Sequence, residues 1–385
     1  MKGKICHVVG NSSFGGGSMI VLALAKKAAS EGLRVHVVAT DREFIRQLTA
    51  AGIGVVPLDC IERSVNPYRD VRGAFMLYRH FKAAKYDLVH THTTKAGMIG
   101  RFAATAAKVP HVVHTVHGFA FHEESGRTAT KVIAALERIA AGWCHRIVCV
   151  SRFHREWALR LHIAAADKIV AIPNGINAPA VPPGFDRATF RRSLGVDEGD
   201  VLVVGVGRLA PQKGFSHLID AAAKLGDLGA SCRFLVAGEG PLRSRLERRI
   251  VEAGLTGRFR LLGYRGDVGS LYLAADIVAQ PSLWEGLSIS LLEAMSLGRP
   301  IVTTEISSNR EVVGQSGSVV LVPAADSDAL AAAIRDLVAD ADRRAMISEI
   351  ARSVYRDGYT EAGMTDAYLD LYREMLLRSE GANRG

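Results

Sequence analysis

Two loops in the second half of the chain carry the charged residues best suited to hold a phosphorylated ligand. The first runs from Gly205 to Gly214 and contains Arg208 and Lys213. Glycines let a backbone approach a ligand closely, and the start of the following helix offers free N–H groups. An arginine fork and a lysine charge add attraction for phosphate oxygens. By itself, the pattern fits a phosphate loop and an ordinary strand–helix turn equally well.

The second loop follows an apolar run at residues 277–279 and places two glutamates eight positions apart. Glu285 precedes a predicted helix, and Glu293 lies on that helix. A continuous helix would separate the two carboxylates by roughly 12 Å, about the breadth of a nucleoside diphosphate. Carboxylates accept hydrogen bonds from hydroxyls, so sugars and riboses are natural ligands, and Gly286 leaves room for one. Taken singly, each glutamate also fits a capping or solvated position.

The first half has a glycine loop, residues 11–18, behind its first apolar run. The loop contains Gly15, Gly16 and Gly17, and their spacing from Gly10 does not give G-x-G-x-x-G. That spacing argues against a nicotinamide dinucleotide site.

Histidines cluster behind other apolar runs of the first half. His117 follows the predicted strand 111–116, and His90 and His92 end another. Together with His114 these side chains could mimic a zinc site, but neither a carboxylate nor a cysteine completes the set, so we predict no metal. Lys95, at a predicted helix start, better suits an acceptor phosphate.

The elements that must position these residues are short Val- and Ile-rich runs that alternate with Ala-rich helical stretches. The runs are nearly continuous in apolar character, which is typical of parallel strands covered by helices on both faces. The predicted strands are 5–9, 34–39, 88–90, 111–116, 146–150, 201–206, 233–237, 258–262, 277–279 and 301–303. We therefore predict two doubly wound, Rossmann-like α/β domains facing a cleft, with ligands beyond the carboxyl ends of the strands.

Proline and glycine between residues 174 and 188 interrupt both periodic patterns and mark a boundary. We expect an acceptor-binding domain at residues 1–175, a linker at 176–188 and a donor-binding domain at 189–360. A final amphipathic helix at 361–378 is expected to cross back to the first domain.

Charge is unevenly distributed between the two halves. Residues 1–173 hold 24 Lys and Arg against 12 Asp and Glu, whereas the remainder holds 24 against 27. A basic half favours an anionic partner, although it also serves solubility. The segment 63–85 interleaves basic and aromatic residues, which fits either a membrane-interface helix or a crossover helix burying Val71, Phe75 and Tyr78. We expect a cytoplasmic protein, with a peripheral position on the inner face of the plasma membrane as a further expectation, because we find neither a signal peptide nor an apolar span.

The order of motifs across residues 205–295 resembles the donor site of glycosyltransferase family 4. The match joins the Gly205–Gly214 loop to Glu285 and Glu293 through Gly238–Pro241, Leu262–Tyr264 and Tyr272–Asp276. The resemblance implies a GT-B fold and a retaining hexosyltransferase or N-acetylhexosaminyltransferase that uses a UDP- or GDP-sugar.

The resemblance also implies roles for individual donor-site residues. Arg208 and Lys213 would hold the donor diphosphate, Glu285 would contact sugar hydroxyls, and Glu293 would accept hydrogen bonds from the ribose. The loops around Gly240 and Tyr264 would line the nucleobase. The donor site would be completed by Gly286, Leu287 and Ser288.

The two basic side chains can neutralise the leaving diphosphate, so no metal and no cofactor are predicted. The Asp326-x-Asp328 and Asp340-x-Asp342 pairs are predicted to be helix starts and surface acids instead.

In the first domain, the resemblance implies that Gly16 contacts the donor diphosphate, and that Gly15–Gly17 border the acceptor. His117 would hydrogen-bond the donor sugar and also belongs to the predicted acceptor-binding residues. The predicted catalytic residues are Arg208, Lys213, His117 and Glu285. Ser18 stands where the family often has an acidic residue, and the loop 304–309 lacks the family's usual glycines.

The stretches 92–101, 109–110 and 115–122 resemble transferases of exopolysaccharide, capsule and other glycan assembly. That similarity implies a glycan or polyprenyl-diphosphate-linked acceptor, which agrees with the basic half. We also expect a transient contact with an anionic membrane and no nucleic-acid partner. Alternative functions are a nucleotide-sugar epimerase or phosphorylase of the same plan, or a non-catalytic glycan- or membrane-binding scaffold.

Overall fold

The computed structural model describes residues 2–10, 15–59, 61, 66–121 and 125–382. Its internal contacts divide the chain into two compact units, one comprising Met1–Gly175 with Glu361–Gly385 and the other Ile176–Thr360. The segment 176–188 groups with the second unit, where the backbone of Ala180 leaves no room for a side chain at Gly269. Predicted loop, helix and motif residues that lie outside the described part of the chain are 11–14, 63–65 and 122.

The first unit contains a seven-stranded parallel sheet in the order β3-β2-β1-β4-β5-β6-β7. The strands are β1 Lys4–Val8, β2 Arg34–Val38, β3 Gly54–Val56, β4 Leu88–His92, β5 His111–Val116, β6 Arg146–Cys149 and β7 Ile169–Ala171. Its helices are α1 Gly16–Ser30, α2 Arg42–Ala50, α3 Pro67–Ala84, α4 Thr94–Ala106, α5 Arg127–Ala141, α6 Arg152–Arg160 and α15 Glu361–Ala382.

The second unit contains a six-stranded parallel sheet in the order β10-β9-β8-β11-β12-β13. The strands are β8 Val201–Val206, β9 Cys232–Ala237, β10 Phe259–Gly263, β11 Ile277–Gln280, β12 Ile301–Thr304 and β13 Val320–Val322. Its helices are α7 Arg187–Ser193, α8 Phe215–Ala223, α9 Arg243–Glu252, α10 Val268–Ala274, α11 Ile289–Ser296, α12 Ser307–Val313, α13 Ser327–Ala339 and α14 Ala341–Gly358.

Both sheets reverse their strand order at one point, between β1 and β4 in the first unit and between β8 and β11 in the second. The central strands are buried on both faces, because helices cover each side of the sheet. Loops that leave neighbouring strands in opposite directions open a crevice at such a point, and ligands of doubly wound domains bind there. The prediction of two Rossmann-like domains is therefore confirmed.

Helix α3 corrects one alternative drawn from the sequence. Val71 is 71% exposed and Phe75 is 58% exposed, so the helix does not bury them in its own domain. Leu77 and Phe81 enter the core, and Tyr78 is partly buried against it, so only the last of the three predicted side chains packs into the domain. The helix thus has two apolar stripes. The stripe with Leu77 and Phe81 is buried where α3 packs against α4, and the stripe with Val71 and Phe75 is exposed.

The two acidic pairs of the C-terminal part start helices, as predicted. Asp326 accepts hydrogen bonds from the backbone of Asp328 and Ala329 at the start of α13. Asp340 accepts one from the backbone N–H of Arg343 at the start of α14. Within the described residues, we find no helix with enough length and apolar character to cross a bilayer.

Candidate active site

Two loops at the carboxyl edge of the second sheet meet through their backbones. The Gly207 N–H donates to the Ala237 carbonyl at 2.9 Å, and the Leu209 N–H donates to the Glu239 carbonyl at 3.0 Å. A Cβ atom at Gly238, where φ is +146°, would lie 1.9 Å from the Gly207 carbonyl oxygen. Only glycine fits there, so the loops after β8 and β9 form one surface.

The loop after β8 is also joined to the loop after β11. A Cβ atom at Gly214 would lie 2.0 Å from the Pro281 carbonyl oxygen, and φ at Gly214 is +61°. The Leu283 N–H donates to the Gln212 carbonyl at 2.7 Å. These contacts bring the two sequence-predicted loops together at the point where the strand order reverses.

The centre of this edge is an ion pair between two of the predicted residues. Lys213 Nζ lies 2.5 Å from Glu285 Oε1, and the side chains are only 17% and 7% exposed. Gln212 Nε2 donates to Glu285 Oε2 at 2.9 Å, and Ser282 Oγ donates to Oε1 at 2.9 Å. Sequence reasoning missed Gln212 and Ser282, although their position after strands β8 and β11 is a signal for them.

Glu293 projects from α11 and is 8% exposed. The Tyr272 hydroxyl donates to its Oε2 at 3.0 Å. Burial raises the pKa of the Glu293 carboxyl to about 7, against the opposing effects of the Tyr272 hydrogen bond and the Lys213 charge. A hydroxyl ligand that supplied further donors would favour the ionised form.

The segment between the two glutamates departs from the continuous helix assumed from the sequence. Helix α11 begins at Ile289, and the Ser288 side chain caps it by accepting from the Leu291 N–H. Residues 285–288 are therefore not helical, so the rise of a continuous helix does not give the separation of the two carboxylates. Gly286 and Leu287 belong to this segment and are buried.

Arg208, Gly240 and Tyr264 occupy the same edge but differ in exposure. Arg208 is exposed on the loop after β8, and Tyr264 is 70% exposed directly after β10. A Cβ atom at Gly240 would lie 2.4 Å from the Leu209 carbonyl oxygen, so its backbone approaches the loop of Arg208 closely.

In the first unit, the predicted glycines start α1 behind β1. Gly15 is the residue before the helix, Gly16 is its first residue, and the space where a Cβ of Gly17 would stand is open. A helix start of this kind presents free N–H groups and the positive end of the helix dipole. An anionic group is the natural ligand for it.

Lys95 lies at the start of α4, as expected, and it pairs with a carboxylate of the chain. Its Nζ lies 2.6 Å from Asp70 Oδ1 on α3, with both side chains about one-fifth exposed. Sequence reasoning did not foresee this partner.

The histidines of the first unit divide between the two faces of the sheet. His92 Nδ1 lies 3.1 Å from His117 Nε2, and His92 Nε2 lies 3.0 Å from His7 Nδ1. His114 instead contacts Thr91 Oγ1 at 3.0 Å and packs against α4 at Gly97. His7, which sequence reasoning missed, lies beside His90 and His92, whereas His114 does not. Its lateral pairing with His90 across β1 and β4 is set by the sheet register.

Two family models match the chain. The model described as glycosyl transferases group 1 matches residues 186–354, and that of glycosyltransferase family 4 matches residues 14–178. Within the matched ranges lie all the predicted donor-site residues.

Curated relatives agree with the family models. The UDP-Gal:alpha-D-GlcNAc-diphosphoundecaprenol alpha-1,3-galactosyltransferase of Escherichia coli is 32% identical over 328 residues, 84% of each chain. A D-inositol 3-phosphate glycosyltransferase of Saccharomonospora viridis is 33% identical over 77% of this chain and 72% of its own. Among solved structures, Anabaena HepE in complex with UDP-glucose superposes with a TM-score of 0.84, at 22% identity, over 97% of this chain and 100% of that chain.

Two Rossmann-like domains and these matches define a glycosyltransferase of the GT-B class that uses a nucleotide-sugar donor. The chain belongs to the family 4 glycosyltransferases.

Proposed function

We propose that the chain transfers a hexosyl or N-acetylhexosaminyl group from a UDP- or GDP-sugar to a lipid-linked glycan acceptor, with retention of anomeric configuration. The observation that carries the donor half is the buried Lys213–Glu285 pair, close to Glu293, at the reversal point of the second sheet. Cation and carboxylates there match the two parts of a nucleotide sugar, its diphosphate and its hydroxyls.

In this proposal, Lys213 and Arg208 hold the diphosphate, Glu285 accepts from hydroxyls of the sugar, and Glu293 accepts from the ribose. Glu285 also holds Lys213 in place before the donor arrives. When the donor binds, the diphosphate oxygens compete with Glu285 for Lys213. Sugar hydroxyls then donate to Glu285 and replace part of its contact with Lys213.

The reaction proposed is a substitution on one face of the sugar. The bond from the anomeric carbon to the diphosphate oxygen breaks, and the acceptor oxygen bonds to the same face of that carbon. The acceptor proton passes to the departing diphosphate. The developing negative charge is stabilised by Arg208 and Lys213, which is the largest contribution that a preorganised site makes.

The acceptor class follows from two features. The Escherichia coli relative is named for a diphosphoundecaprenol acceptor, and residues 1–173 carry twice as many basic as acidic residues. Gly15–Gly17 and Lys95 are the groups we assign to the acceptor side, and His117 is assigned to the donor sugar. A place in the assembly of a surface glycan fits such an acceptor.

We further propose that α3 contacts an anionic membrane while the enzyme uses this acceptor. The helix exposes Tyr68, Val71 and Phe75 together with Arg72 and Arg79. The Arg79 guanidinium lies 6.0 Å from the centre of the Phe75 ring. Exposed aromatic and basic side chains on one helix suit the headgroup region of a bilayer.

The donor assignment is tested with Lys213→Ala. Transfer from each of a panel of UDP- and GDP-sugars to a synthetic polyprenyl-diphosphate N-acetylglucosamine is measured, and the anomeric configuration of the product is read by NMR. Loss of one charged contact to the leaving group predicts a kcat lower by about 10²–10³-fold.

Lys224→Ala is the matched control, because Lys224 in the same unit also pairs with a carboxylate, that of Asp328, at 2.7 Å. It should keep wild-type turnover. Wild-type turnover in Lys213→Ala would refute the diphosphate role, and an inverted product would refute the mechanism.

A further inference from the structure

Three histidines of the first unit form one hydrogen-bonded series that ends at His117, the residue proposed to contact the donor sugar. His7 Nδ1 lies 3.0 Å from His92 Nε2, and His92 Nδ1 lies 3.1 Å from His117 Nε2. The rings of neighbouring members stack, with interplanar angles of 21° and 30°. His7 and His92 are fully buried on strands β1 and β4, so the strands hold both rings rigidly.

All three rings are neutral at physiological pH. Burial lowers the pKa of His7 to about 3 and that of His117 to about 4, and it lowers the pKa of His92 well below its usual value. A neutral imidazole carries one N–H and one lone pair, so each ring that donates at one nitrogen accepts at the other. The N–H groups of the series must therefore all point the same way.

The inner end of the series selects the direction. His7 Nε2 is buried and has no hydrogen-bond partner among the described residues. If the N–H groups pointed inward, that atom would be an N–H without an acceptor. If they point outward, it is a lone pair without a donor, which protein interiors tolerate better. In the outward arrangement His7 donates to His92, His92 donates to His117, and the remaining proton of His117 is on Nδ1.

We propose that His7 and His92 are positioning residues that fix His117 as its Nδ1–H tautomer, so that this ring donates a hydrogen bond to an oxygen of the donor sugar. The inference rests on the proposed function of His117, and it adds that His117 is the donor, not the acceptor, of the hydrogen bond to the sugar. A ring fixed as a donor favours a ligand oxygen that accepts, and it disfavours a group that must itself donate.

The neighbouring His90 does not belong to the series. Its Nδ1 lies 2.6 Å from the Tyr372 hydroxyl, and its Nε2 lies 2.8 Å from Thr115 Oγ1, so both ring nitrogens are engaged. The ring nitrogens of His7, His90 and His92 nevertheless lie within 4.8 Å of one another. A metal held by these three rings would replace the series, and the test therefore measures metal content.

The first readout is the tautomer of His117, measured by long-range ¹H–¹⁵N correlation spectra of histidine-labelled enzyme. The wild type should show a protonated Nδ1 and a bare Nε2 at His117. In His7→Leu, which keeps the side-chain volume but removes the inner donor, both tautomers should appear. In His7→Asn, whose amide can donate from the position of Nδ1, the single tautomer should return.

The second readout is turnover. Loss of a residue that orients a ligand-contacting histidine predicts a kcat lower by roughly tenfold or more in His7→Leu, with partial recovery in His7→Asn. The KM of the donor should change less. His114→Leu is the matched control, because it removes an equally buried histidine that contacts Thr91 on the other face of the sheet.

Three results would overturn the inference: an Nε2–H tautomer at His117 in the wild type, an unchanged tautomer in His7→Leu, or one bound zinc ion per purified chain. Failure of the proposed function gives a different result. If His117→Ala kept wild-type transfer, His117 would not serve the sugar, while the tautomer spectra would still report on the series itself.

Discussion

At the scale of single residues, Glu293 is the side chain whose chemistry differs most from its ordinary behaviour. Its carboxyl is neutral in the folded protein over a pH range in which the unfolded chain would ionise it. A pKa of about 7 in the folded state, against an ordinary value near 4.5, means that folding takes up a proton between these values. The stability gained from the neutral form is full below about pH 4.5 and is lost as the pH rises through 7.

Glu293→Gln is therefore expected to stabilise the donor-free protein at pH 8, by an amount of order 3 kcal/mol. The gain should shrink towards zero as the pH falls below 4.5, because the wild-type carboxyl then becomes neutral in both states. Thermal unfolding of both proteins across this pH range measures it. Glu252→Gln, on the exposed surface of α9, should shift the melting temperature little. A destabilised Glu293→Gln at pH 8 would contradict the raised pKa.

The same carboxyl should make donor binding depend on pH. Ribose hydroxyls stabilise the ionised form, so donor affinity in the wild type should fall as the pH drops below about 7. The Kd of Glu293→Gln for the donor should be higher at pH 8 and nearly flat with pH.

Residue types were easier to predict than residue partners. Lys213, Glu285 and Glu293 lie at one edge of the second sheet, as their place behind strands indicated. The Lys95–Asp70 pair and the His7–His92 contact could not be foreseen, because each joins elements whose lateral register is set only when the domain packs.

At the scale of secondary-structure elements, the surface of α3 leads to a prediction about membranes. Changing two exposed apolar side chains of α3 to charged ones tests it. The double variant Val71→Asp with Phe75→Asp should float much less with phosphatidylglycerol vesicles, because the apolar contact is lost and two negative charges are added. Neutral phosphatidylcholine vesicles should bind the wild type weakly.

Val251→Asp provides the matched control for that experiment, since Val251 is 66% exposed on α9 of the second unit. It should float like the wild type. If the double variant on α3 also floated like the wild type, this helix would not be the membrane contact.

The elements that the sequence did not reveal have a common physical reason. Strands β3, β7 and β13 each have three residues, lie at the edges of their sheets and are partly exposed. Such segments have neither the length nor the continuous apolar character that identified the central strands. Helix α3 was recognised, but its two apolar stripes could be assigned to core and surface only from packing.

At the scale of the whole molecule, the first unit is built from two separate parts of the chain. Helix α15 packs with α1 and supplies large side chains to the core of that unit. Those buried there are Met364, Tyr368, Leu369, Leu371, Tyr372 and Met375. Tyr372 and Tyr368 also hydrogen-bond to His90 and Thr115 on the central strands.

A chain ending at Thr360 should therefore lose the folding transition of the first unit. Each of these side chains contributes roughly 1.5–3 kcal/mol when fully buried, and their sum is comparable to the whole stability of a domain. Scanning calorimetry should show only the transition of the second unit, and isothermal titration should still show UDP binding. Removal of residues 383–385 alone is the control and should leave both transitions. A truncated chain with an unchanged thermogram would show that α15 is dispensable.

The placement of α15 also sets the order in which this protein can be made. During synthesis the first sheet emerges from the ribosome well before residues 361–382 are made. Until then, His90 and Thr115 on its central strands lack their hydrogen bonds to Tyr372 and Tyr368. The second unit, continuous from 176 to 360, can complete its fold in that interval. The domain that begins first is thus finished last.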